Sequence, residues 1–122
     1  MNTNNIVWFD IPVIDLKRAV KFYSELLNLK IKIEKHGDIE FAMMPCASKQ
    51  GVTGCLAKTK ETKVSNSGVL IYLNVQGKLD EAVEIAKRYN CKIVSNKTEI
   101  GEWGFRTIII DTEGNQIALH SF

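Results

Sequence analysis

Two stretches of this chain repeat one pattern about 62–63 residues apart, and that repetition constrains the fold more than any other feature. Leu16-x-x-Ala19-Val20 answers Leu79-x-x-Ala82-Val83, and Lys30-Ile31 answers Lys92-Ile93. Chance could supply either match alone, but both within one order of elements mark a duplication. In the first half, IVWFDIPV (6–13) alternates like a strand, with Pro12 near its end, where a missing N–H costs least. Asp15 is placed to cap a helix over 16–27, with Leu16, Ala19, Val20, Tyr23, Leu26 and Leu27 on one face. Three strands follow, at 29–35, 39–45 and 51–58, the first two joined by the KHGD turn. The second half repeats the order, with a strand at 68–75, a helix at 79–90 and strands at 91–96, 105–111 and 115–121. Acids open the second helix and Lys87 and Arg88 close it, as its dipole favours.

These elements predict an α+β fold: two tandem βαβββ modules, at about 6–58 and 68–121, forming a curved, cavity-bearing sheet in a single domain over 1–122. The polar segment 58–67 is the linker. One helix covers only one face of a four-strand sheet, so two such sheets leave a concave surface suited to a small molecule. Composition removes other classes. A formal charge of +2 with interspersed signs gives no basic face for nucleic acid. No apolar run approaches the roughly 20 residues that span a bilayer, and the N-terminus shows no secretory pattern. Three cysteines without CxxC spacing fit reduced thiols, so a cytoplasmic location is expected.

The segments FDIPVIDLKRAVKFYSELL (9–27) and DTEGNQIAL (111–119) resemble the first strand and helix, and the closing hairpin, of the vicinal oxygen chelate superfamily. That superfamily includes glyoxalases, extradiol dioxygenases and bleomycin-resistance proteins. The stretch KTEIGEWGFRTIIIDTEGNQIALHS (97–121) is further similar to a bacterial glyoxalase-like branch. The resemblance implies a homodimer and, in metal-dependent members, His and Glu or Gln ligands from four strands. Matched motif by motif, those positions fall on Trp8, Leu70 and Ala118, with the fourth near Cys55 or Leu56. An indole, an isobutyl and a methyl group do not ligate a metal. No cofactor is therefore expected, and a divalent metal is disfavoured.

Strand alternation places Trp8 with Asp10, Leu70 with Tyr72 and Asn74, and Ala118 with His120 on shared faces. Asp10, Tyr72, Asn74 and His120 are the polar candidates for one cavity, and each has a competing reading as a locally satisfied group. Trp8, Phe41, Met43, Met44 and Trp103 are the apolar candidates, against a reading as ordinary core. Trp103 stands out because GEWG (101–104) reads as a flexible loop. Cys55 reads as a small buried hydrophobe, and His36 as a solvated turn residue.

The leading expectation is a metal-free protein that binds a small, largely apolar molecule, its ligand contacts drawn from Trp8, Asp10, Met43, Leu70, Tyr72, Asn74, Trp103, Ala118 and His120. The alternative is a lyase, isomerase or dioxygenase-type enzyme with a rebuilt metal site, or with Asp10 and His120 as acid and base. Drug sequestration and a pure interaction module are narrower readings, and the slight basic charge disfavours a polycationic drug.

Overall fold

Each half of the chain closes its own four-strand mixed sheet in the computed structural model, which describes residues 4–48 and 50–122. The first half runs β1 (Trp8–Pro12), α1 (Leu16–Leu27), β2 (Lys32–His36), β3 (Ile39–Met43) and β4 (Thr53–Ala57). The second runs β5 (Ile71–Asn74), α2 (Leu79–Arg88), β6 (Ile93–Glu99), β7 (Phe105–Ile110) and β8 (Gln116–Ser121). The spatial orders, β1-β4-β3-β2 and β5-β8-β7-β6, are the same arrangement twice. In each sheet the first strand lies at one edge, parallel to the last, and the other pairings are antiparallel.

The duplication reaches the helix stops. Asn28 and Asn90 both take the left-handed conformation (φ 53° and 62°), which Asn tolerates better than most residues. Behind each, the next N–H bonds back five residues, Leu29 to the Ser24 carbonyl at 3.0 Å and Cys91 to that of Ala86 at 2.9 Å. Asn-x-Lys-Ile thus ends the helix and launches the strand in both modules, 62 residues apart (90 − 28). Because the cap consumes residues 28–31, β2 begins at Lys32 rather than at 29 as alternation predicts. β5 is likewise shorter than the predicted 68–75, and leaves Leu70 just outside the strand.

Both helices bury the predicted faces, with Asp15 Oδ1 accepting from the Arg18 N–H at 3.1 Å as the cap of α1. Phe22, absent from the predicted face, is fully buried and meets Tyr23 and Tyr89 edge-on at 5.0 and 5.2 Å. Ile11, Ala42 and Leu56 from one sheet share a single core with Leu73, Ile109 and Leu119 from the other. Met44 belongs to this core at 3% exposure, in keeping with its reading as ordinary core and not as a pocket residue. No helix among the described residues is long and apolar enough to cross a membrane.

A clasp joins the modules. The turn after β7 presents Asp111, Glu113 and Asn115, all buried, to the start of the first module. Asn115 Nδ2 donates to the Pro12 carbonyl at 2.7 Å. Glu113 Oε1 accepts from the backbone N–H groups of Ile14 and Asp15 at 2.8 and 2.7 Å, and both its oxygens accept from Arg18. Burial alone would raise the Glu113 pKa, but the Arg18 guanidinium, those N–H groups and the Thr112 hydroxyl outweigh it and hold it below its ordinary value. A depressed folded-state pKa adds stability above the unfolded pKa, which is lost as pH falls through the folded value. Thermal unfolding of the wild type and Glu113→Gln from pH 7 to pH 3 is expected to show a gap that closes with acid. A gap independent of pH would refute the charged clasp.

Candidate functional site

The two sheets turn their helix-free faces outward as two adjoining patches, and strand register dictates what each patch carries. On the first sheet the ladder aligns Trp8 with Thr53 and sets Asp10, Cys55 and Met43 in one row. Asp10 Oδ1 accepts from the Trp8 indole N–H at 2.9 Å and from the Cys55 thiol at 3.2 Å. Trp8 and Met43 remain 44% and 45% exposed, so the row joins apolar surface to a carboxylate held by two donors. Burial, and then the neighbouring Asp10, pushes the Cys55 thiol up to about 12. Cys55 is a protonated donor here and not a nucleophile. Iodoacetamide at pH 8 is therefore expected to label the exposed Cys46 well before Cys55, as peptide mapping would resolve. Equal labelling of the two would contradict the cluster.

On the second sheet, Tyr72, Ala118 and Ile108 form one row across the strands, and Asn74, His120 and Arg106 form the next. Arg106 Nη1 donates to the Tyr72 hydroxyl, and its guanidinium stacks 5.8 Å from that ring. His120 Nε2 lies 2.6 Å from the Trp103 carbonyl. A carbonyl only accepts, so Nε2 carries the hydrogen and Nδ1 is the free ring nitrogen. The His120 ring is edge-on to Phe122 at 4.9 Å and to Tyr72 at 6.3 Å. The predicted loop around Trp103 is a short 3₁₀ turn, Gly101–Trp103, whose indole is 65% exposed.

Eight of the nine expected contact positions are exposed or half-buried. Ala118, wholly buried, is the exception, and its methyl reaches no solvent. Asn74 is locally satisfied, since Oδ1 accepts from the Gln76 N–H at 2.8 Å. Asp10 reaches a second feature, a cleft of about 180 Å³ between the modules that is also lined by Pro12, Lys63, Val69, Ile71 and Gln116. Arg106 and Phe122 escaped the sequence reading. The signal for Arg106 was present, because a hairpin closing through DTEGN pairs residues whose numbers sum to 226, and so sets Arg106 against His120.

Residues 5–119 match the model of the Glyoxalase/Bleomycin resistance protein/Dioxygenase superfamily. The chain belongs to this superfamily. It is similar to a glyoxylase-like domain-containing protein from Didymella fabae, 29% identical over 116 residues that cover 90% of this chain and 88% of the other. Among solved structures, a glyoxylase/bleomycin resistance protein/dioxygenase domain from Frankia superposes with a TM-score of 0.73 at 15% identity, covering 98% of each chain. The E144Q glyoxalase I mutant from Zea mays gives 0.72 at 19% identity, covering 99% of this chain and 48% of that one. The fosfomycin resistance protein FosX from Listeria monocytogenes gives 0.67 at 14%, covering 98% and 93%. At these identities the structural likeness establishes the two-module fold.

The positions at which the resemblance implies metal ligands carry unsuitable residues in this chain. Trp8 points an N–H donor at Asp10, Cys55 is held as a thiol, Leu70 is aliphatic and Ala118 is covered. Among the described residues no three His, Cys, Asp or Glu side chains converge as a metal-binding group. The donor set does not fit a divalent cation.

Proposed function

We propose that this glyoxalase-like protein holds a small, largely apolar molecule on its open sheet faces without a metal ion. The observation that carries the reading is the exposure of Trp8, Met43, Tyr72 and Trp103, and it is supported by the non-ligating Trp8, Leu70 and Ala118 at the positions where the resemblance implies metal ligands. The polar groups among them are few and already oriented. Asp10 is fixed by Trp8 and Cys55, Tyr72 by Arg106, and His120 by the Trp103 carbonyl, so they would orient a ligand at little ordering cost.

The test is a thermal-shift titration of metal-stripped protein against apolar probes, since a ligand preferring the native state raises its stability. Saturable shifts, lost in Trp8→Ala and unaffected by EDTA, are expected. Stoichiometric metal recovered from purified protein, or binding that needs added metal, would replace this reading with the enzyme alternative. A homodimer forms part of the proposal. Val69 is 91% exposed, and Ile6, Val7 and Ile14 are also open, which is apolar surface that a second copy could cover. Light scattering at a monomer's mass would remove that part alone.

A further inference from the structure

Arg106 is a cation with no matching anion. Among the described residues no carboxylate lies within ion-pair distance of it, and its ladder partners are Thr98 and His120. Its guanidinium makes one hydrogen bond, from Nη1 to Tyr72, while Nε is enclosed without a partner and Nη2 is left unpaired and not enclosed. On the open face of the first sheet, Asp10 already accepts two donors, and Glu34 and Lys32 lie on β2 at the edge farthest from β1. A half-buried guanidinium normally gains an acceptor, because desolvating it otherwise costs free energy.

Tyr72 sharpens the point. Nη1 can only donate, so the hydroxyl accepts from it, and the hydroxyl's own hydrogen is free to donate elsewhere. The open Nη2 and this O–H are then two donors side by side, one of them charged, next to His120, whose ring also meets the exposed Phe122. We propose that Arg106 and Tyr72 form an anion subsite that takes the carboxylate of an otherwise apolar acid. The inference rests on the reading of the open faces as a ligand surface and names the class of ligand.

Matched probes separate the two ideas. 2-Naphthoate and 2-naphthamide, and octanoate and octanamide, differ in charge and little in shape, and calorimetric titration of the full chain reads each pair. The acids are expected to bind about 10-fold or more tightly than the amides, the range of a charge-assisted hydrogen bond. Arg106→Gln should abolish that preference, with its circular dichroism spectrum and thermal transition reporting an intact fold. Arg106→Lys should retain part of it, and Tyr72→Phe should weaken the acids a few-fold more than the amides. Equal affinity for acid and amide, or a preference that survives Arg106→Gln, would overturn the anion subsite and leave the ligand-surface reading standing. Failure of every probe to bind would remove both.

Discussion

Asp111→Ala is expected to lower the unfolding free energy by about 4 kcal/mol, the size found when one partner of a buried charged network is removed. Oδ1 accepts from the N–H groups of Glu113, Gly114 and Asn115 at 2.8, 2.9 and 2.8 Å. Oδ2 accepts from the Tyr23 hydroxyl and from Asn115 Nδ2 at 3.0 Å. Alanine would strand a fully buried tyrosine hydroxyl and the turn N–H groups of Glu113 and Asn115, and an unpaired buried donor costs roughly 1–3 kcal/mol. The turn would also lose the shape that carries Glu113 to Ile14 and Asp15 and Asn115 to Pro12. Asp111→Asn keeps an acceptor without the charge and should cost about half as much. Urea unfolding with an unchanged m-value would measure both variants. In the Asp111→Ala background, Tyr23→Phe should cost less than in the wild type, since their shared bond is already gone. A loss below about 1 kcal/mol would mean that the modules are held by apolar packing alone.

That clasp also marks where sequence reasoning stopped. Periodicity locates both helices, because amphipathic faces such as Leu16–Ala19–Tyr23–Leu26 are local patterns. Alternation separates Trp8 and Asp10 from Ile11 for the same reason. Contacts across 88 to 103 residues, such as Tyr23 to Asp111 or Pro12 to Asn115, have no local signature. DTEGN therefore reads as a turn and not as the joint between modules. Met43 and Met44 show the finer limit. Adjacent strand residues point to opposite faces, and only the pairing of Met43 with Cys55 decides which one is open. Of the site, the shared face of Trp8 and Asp10 was legible, and the isolation of the Arg106 charge was not. Arg106 looks like any strand residue until β8 sets His120 beside it and leaves no acid within reach.

On the proposed reading, the chain keeps this superfamily's scaffold while changing its chemistry. Strand register fixes the direction of Trp8 and Ala118 whatever side chains they carry, and of the two only Trp8 reaches the outer surface. Indole in place of imidazole turns a potential ligand into a donor. The donor then finds Asp10 two residues along, and Cys55 supplies the second proton from the parallel neighbour strand. The result is a hydrogen-bonded group where a cation would need several convergent lone pairs. That arrangement depends on how closely β1 and β4 approach.

The approach depends on Gly54. A Cβ at this position would lie 2.0 Å from the Phe9 carbonyl oxygen and 2.7 Å from its ring, distances no packed structure accommodates. The strain is purely steric, because Gly54 is not among the residues with positive φ. Gly54→Ala must push β1 from β4, and is expected to cost about 3 kcal/mol, the upper part of the overpacking range. Gly37→Ala is the contrasting control. It has φ +64° and open space around it, so its cost of about 1 kcal/mol is conformational and leaves the site untouched. The two variants differ most in what they do to Cys55. Displacing β1 carries Asp10 and Trp8 away from the thiol, so Gly54→Ala should expose Cys55 to iodoacetamide and alter Trp8 emission, read in a Trp103→Phe background. Gly37→Ala should do neither. If Gly54→Ala lost stability but kept Cys55 protected and Trp8 unchanged, strain would be relieved elsewhere, and the close β1–β4 approach would not be what assembles the Trp8–Asp10–Cys55 cluster.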